Sequence, residues 1–517
     1  MRIKVIVLVF FLILQTAVSQ TKKVDNVDLP NFNDMGSVYN DSLVNHYLFY
    51  KRFTDDKKSE GVLKFYDGNL SEVKEEVFPL DKDYAFLEAK NCGDLVIVGF
   101  HNFKNESNLY TIYSNDGKLI YSKEISFKKN SFNPYGYKIA EKIGEYTMIF
   151  PVKNKGFLIT TVEKKKRFGY SIHFLGSDSA KGWIYESPKE HNNRKSVVPL
   201  FANEKVVVLM EKEWGSVYDR QPTFIPIIID VNTGKELFRL SHRYEEIPNF
   251  YTKAYVNDKE EVILFGEKYK LDNNFPDDDY NIGYFIEKYS VNGTLLSSNT
   301  FAFDDVNFKT ALKYNANDKQ KDFGTIFFQD IMDVGGHLWL VGEKSKRDKQ
   351  GFTIAKALIT GSILGVSTIA NQNWNTEFSN GDLVLLELDE NLKLINTFDI
   401  SKVKNKVGLN TMIVRPYFNL MELNYDHFMN YVNASKRLDG LLNLVYLDRI
   451  EHDKKTDFVL YTSLLEKGKS IATEQLKLDL SSNDFYFRVI PTTNKNILFS
   501  KFNAENRFIQ LELLKFK

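Results

Sequence analysis

Short apolar runs recur along this chain, each followed by a polar turn and a second apolar run. The clearest case is Phe224 to Leu240: Phe224-Ile225-Pro226-Ile227-Ile228-Ile229 leads into a turn at Asn232-Thr233-Gly234, and Leu237 and Phe238 carry the return. Gly, Asn and Asp tolerate the positive φ values of tight hairpins, so the pattern predicts strand, turn, strand. The same unit is read at Val62–Tyr66, Asp67-Gly68-Asn69 and Leu70–Phe78. It returns around Asn115-Asp116-Gly117, Asn292-Gly293 and Asp389-Glu390-Asn391. Seven units are read in this way, and three further strands form a tail from Phe485 to Phe516.

The turn glycines Gly68, Gly117, Gly234 and Gly293 give a period of roughly 50 to 60 residues with about four strands per unit. Runs such as Val206-Val207-Val208-Leu209 and Leu383-Val384-Leu385-Leu386 are continuous rather than alternating, which predicts strands covered on both faces. In layout the units resemble the β-propeller superfamily. The resemblance implies an all-β propeller of seven four-stranded blades, with eight as the alternative. An N-terminal strand would complete the blade left open by the tail. A pair of β-sandwiches is the competing fold, and it would call for a mid-chain linker that the sequence lacks. There is no repeated Trp-Asp pair, no kelch diglycine series and no sialidase Asp-box, so the resemblance implies an architecture and no activity.

Met1 to Ser19 reads as a signal peptide: Arg2 and Lys4, an apolar stretch from Val5 to Leu14, and Ala17-Val18-Ser19 for cleavage. The expected organisation is a signal at 1–19, a leader at 20–45 and a propeller at 46–517 with an insertion at 344–381. Export to a bacterial periplasm or the exterior follows, with no membrane span once the signal is removed. Within the insertion, Leu358, Ile359 and Ile363 fall at helical spacing, which predicts a short helix and a candidate lid.

The formal net charge is +0, which gives no field for nucleic acid. The 41 Phe and 28 Tyr favour strands. A single cysteine, Cys92, excludes an internal disulfide and is read as buried. The 8 His show no zinc-ligand spacing, and no P-loop, G-x-S-x-G or dinucleotide motif is present. Asp277, Asp278 and Asp279 form the densest set of oxygen ligands, a candidate Ca²⁺ site without EF-hand spacing and the one cofactor considered. Trp214, Tyr218, Asp219 and Arg220 combine stacking surfaces with charge in one polar connection, a candidate partner-binding set.

With no catalytic motif in hand, the leading expectation is a non-catalytic propeller that binds a protein or glycan through loops on one face. The alternative is a propeller enzyme acting on carbohydrate through paired carboxylates.

Overall fold

In the computed structural model the described residues are 20–27, 34–40, 43–53, 59–80, 84–126, 149–164, 168–179, 182–188, 194–214, 223–240, 249–269, 281–305, 308, 325–348, 375–403, 405–410, 431–436, 441–452, 455–466, 469–480, 484–492, 496–503 and 505–515. They form eight antiparallel sheets, seven with a four-stranded run in sequential order and one completed by the N-terminal strand, and the fold is an all-β propeller of eight blades. Eight is the larger of the two numbers that the period allowed. No helix among the described residues is long and apolar enough to cross a membrane.

The chain divides into two compact units, Met1–Ser126 with Asp479–Lys517, and Phe127–Leu478. The first unit holds three blades. The first blade is Asp34–Asn40, Leu43–Phe53, Ser59–Tyr66 and Glu72–Pro79, and the second is Tyr84–Cys92, Leu95–Asn102, Ser107–Ser114 and Leu119–Ser126. The eighth is Asp484–Pro491, Asn496–Asn503 and Phe508–Lys515, with Gln20–Val24 as its fourth strand. Thus the two ends of the chain pair, Gln20 opposite Leu513 and Val24 opposite Ile509. Residues 20–45, read from the sequence as a leader, also contain all of Asp34–Asn40 and the start of Leu43–Phe53.

The second unit holds five blades. The third blade is Ile149–Val152, Gly156–Lys164, Phe168–Gly176 and Gly182–Glu186. The fourth is Arg194–Ala202, Val206–Trp214, Thr223–Asp230 and Glu236–Arg239, and the fifth is Asn249–Val256, Val262–Tyr269, Asn281–Tyr289 and Leu295–Ala302. The sixth is Thr325–Val334, His337–Asp348, Asn375–Leu388 and Leu394–Ile400, where Asn405–Asn410 also pairs with the long third strand. The seventh is Tyr431–Lys436, Leu442–His452, Lys455–Glu466 and Lys469–Lys477. Within this unit the first strands of successive blades lie side by side.

The continuous apolar runs are explained by packing. Val206, Val208 and Met210 join one core with the fifth blade, while Val207 and Leu209 join another with the third. Leu383 and Leu385 likewise face the seventh blade, and Val384 and Leu386 face the fifth. Each middle strand therefore has two buried faces, and alternation is lost.

The tight turns between third and fourth strands share one device. A residue with positive φ sits where the chain reverses: Gly117 (φ 78), Gly234 (φ 68) and Gly293 (φ 81), but Leu70 (φ 61) and Leu392 (φ 65) in two others. The Asp67-Gly68-Asn69 turn is therefore displaced from its sequence reading, because the left-handed position falls on Leu70 and not on Gly68. A Cβ on Gly117 would lie 2.7 Å from the Phe65 ring, and one on Gly234 would lie 2.6 Å from the Trp183 ring, both in the preceding blade. Leu70 and Leu392 instead bury their own side chains in the core shared with the preceding blade.

Candidate functional site

Six first strands carry a one-residue bulge, which breaks the register between Phe86/Glu88, Pro199/Phe201, Tyr251/Lys253, Phe328/Asp330, Tyr431/Asn433 and Asp484/Tyr486. A bulge re-aims the side chains beside it, and such features gather near functional sites. In the fifth and sixth blades the bulged residues are Thr252 and Gln329, and Lys253 and Asp330 follow them at matching positions on contacting strands.

Behind them, three successive second strands carry a buried glutamate just before a lysine: Glu211-Lys212, Glu267-Lys268 and Glu343-Lys344. A buried carboxylate requires partners. The Glu343 Oε1 pairs with Lys402 Nζ at 2.6 Å, and Gln329 Nε2 donates to its Oε2 at 3.4 Å. Glu211 accepts from Arg239 Nη1 at 2.7 Å and from the Tyr170 hydroxyl at 2.6 Å, with Lys195 Nζ 3.6 Å away. Tyr185 extends this network, donating to Glu236 at 2.9 Å and accepting from Arg239 Nη2 at 3.1 Å. Burial, with the Glu211 charge adding to it, pushes the Tyr170 phenol far above its ordinary range, so it stays protonated and donates to Glu211. In the fifth blade Tyr251 and Tyr289 both donate to Glu287, at 3.2 and 2.9 Å.

Lys253 differs from these. It is half-buried, and burial pulls its amine below the ordinary lysine range while the Asp330 charge opposes that shift. Among the described residues no direct ion pair ties it down.

The predicted site residues fall elsewhere. Trp214 ends the second strand of the fourth blade, its backbone opposite Arg194. Tyr218, Asp219 and Arg220 lie outside the described residues, as do Asp277, Asp278 and Asp279, and Leu358, Ile359 and Ile363. All three clusters belong to second-to-third-strand connections of successive blades. Those connections begin shortly after Glu211, Glu267 and Glu343 respectively. Among the described residues, no group of three or more His, Cys, Asp or Glu is placed to hold a metal ion. Four histidines have local partners: Ser37 for His46, Asn108 for His101, Ser171 for His173 and Glu387 for His337. Cys92 is buried.

The sequence reading passed over Glu267, Glu343, Lys253 and Asp330, and gave Glu211, at the head of the Trp214 connection, no role of its own. A signal was present: Leu209-Met210-Glu211-Lys212, Phe265-Gly266-Glu267-Lys268 and Val341-Gly342-Glu343-Lys344 repeat one apolar-to-charged step at the ends of second-strand runs.

Among solved structures the chain is similar to a prolyl endopeptidase, at 10% identity and TM-score 0.41, covering 92% of this chain and 55% of that one. It is similar to prolyl oligopeptidase B from Galerina marginata, at 9% identity and TM-score 0.37 over 92% of this chain and 56% of that one. Acylaminoacyl peptidase from Pyrococcus horikoshii is a third, at 8% identity and TM-score 0.32, covering 85% and 59%. The chain thus spans little more than half the length of these peptidases, and overlaps this loose carry no activity across. They do correct the functional expectation, since these fold neighbours are peptidases, neither non-catalytic binders of a protein or glycan nor carbohydrate enzymes. That expectation rested on missing local motifs, and a propeller assembles its sites from separate strands. No curated protein matches the chain. A family model matches residues 1–517 in full, so the chain belongs to DUF6770, a family of unknown function.

Proposed function

We propose that this chain takes part in peptide processing, engaging an extended peptide along the first strands of its fifth and sixth blades for hydrolysis. The observation that carries the reading is the pair of matching bulges, which set Lys253 and Asp330 on adjacent strands beside Thr252 and Gln329. An extended peptide advances ~3.3 Å per residue and offers a donor and an acceptor at each non-proline residue. Neighbouring cationic and anionic groups suit such a ligand: the Lys253 amine donates to a carbonyl or terminal carboxylate, and Asp330 accepts from an N–H or terminal amine. Peptides are also what the names of the solved peptidases point to, which fixes the ligand class to test first. The signal-like stretch Met1 to Ser19 supports placing this work outside the cytoplasm.

The test uses the full chain and a tryptic digest of casein, with retained peptides and newly formed termini read by mass spectrometry. Retention is expected. Losing two charge-assisted hydrogen bonds in the Lys253→Met, Asp330→Asn double variant should weaken it by roughly tenfold or more. Peptides that pass unretained, or that the variant holds equally well, would refute the reading.

A further inference from the structure

We infer that cleavage before Gln20 creates a modification site, at which the new N-terminal glutamine closes into a pyroglutamyl lactam. The inference rests on reading residues 1–19 as a signal peptide, because this ring forms only from an α-amine freed at Gln20. The freed amine attacks the side-chain amide carbon of the same residue, a C–N bond forms and ammonia leaves. The product is a neutral five-membered lactam, and the step needs no oxidant, reductant or other co-reactant.

The place of Gln20 in the fold is what gives this ring a consequence. It is the first residue of Gln20–Val24, the 5-residue strand that completes the eighth blade on its outer side. That strand pairs residue for residue with Phe508–Lys515, and Gln20 stands opposite Leu513. Every residue that an aminopeptidase removed from this end would delete one of the five paired positions. A lactam has no primary amine, so trimming stops before it starts. The ring also suits the ladder: its nitrogen keeps one N–H and no charge, as a peptide nitrogen does, where an open terminus would set a cation at the strand end. The side chain is placed to close it. Nε2, the nitrogen that leaves, donates to Asn69 Oδ1 at 3.3 Å in an exposed contact, so closure breaks one solvent-facing hydrogen bond and leaves the apolar core untouched.

The test is to export the full chain from a bacterial host and follow the intact mass and N-terminal sequence of the purified protein until the mass is constant. Wild type is expected at the mass of residues 20–517 less one ammonia. It should be closed to Edman degradation until pyroglutamyl peptidase has acted on the denatured chain. In the Gln20→Asn variant the amide is one carbon too short for this lactam, so an open N-terminus at residue 20 and no loss of ammonia are expected. Wild type cut before Gln20 but carrying a free amine overturns the lactam and leaves the signal reading standing. A chain that retains residues 1–19, or is cut elsewhere, overturns both. An Asn variant blocked in the same way as wild type overturns the assignment to the Gln20 side chain.

Discussion

His46 is buried in the first unit, its Nδ1 3.0 Å from the Ser37 hydroxyl, and burial pulls its pKa from 6.5 down to about 4 against a weaker opposing pull from Asp67. An imidazole held neutral in the fold but free to charge once unfolded gives stability in full above the unfolded value. That stability is lost as pH falls from about 6.5 towards 4, by on the order of 3 kcal/mol. Urea midpoints of wild type and His46→Gln compared across that window should converge as the pH drops, and parallel curves would refute this role. Gly234 is the second informative residue. Its φ of 68 and the Trp183 ring 2.6 Å from a built Cβ leave no room for alanine, while Trp183 Nε1 donates to Val231 O at 2.5 Å. Gly234→Ala should lower stability by about 1 to 3 kcal/mol in denaturant titration, through backbone strain and displacement of the indole. The turn around Gly234 was legible in the sequence, and the docked Trp183 was not, because nothing local links residues so far apart.

At the scale of the strand, the second strands combine a dry apolar stretch with a buried charge at one end. Lys402 lies fully buried against Glu343, an arrangement in which the pair costs desolvation but a lone partner costs more. Lys402→Met should therefore destabilise by about 3 to 5 kcal/mol, and adding Glu343→Leu should recover most of it, as thermal unfolding of the single and double variants would show. The strands themselves could be read from Val206-Val207-Val208-Leu209 and its counterparts, since two buried faces leave a compositional trace. The ion pairs could not. Lys402 follows the fourth strand and Glu343 lies in the second, and sequence spacing says nothing of that meeting. The bulges were equally hidden, because Thr252 and Gln329 look like ordinary strand residues until the register slips around them.

Across the whole molecule, the repeat was the legible part, because one architecture imposed on eight segments leaves the same turn at similar intervals. Function was not legible. The residues that distinguish one blade from another, Lys253 and Asp330 above all, sit in positions that the repeat makes equivalent, and the role proposed for them depends on their being neighbours. The third-to-fourth-strand turns add a further consequence. Gly117 and Gly234 are sockets for an aromatic ring from the preceding blade, whereas Leu70 and Leu392 are plugs that enter it. Neighbouring blades within each unit are thus keyed to each other, less a string of interchangeable copies than a sequence of joints cut to fit in one order. Any relative that gains, loses or exchanges a blade must carry both halves of a joint, so Phe65 with Gly117 and Trp183 with Gly234 are pairs expected to be inherited together.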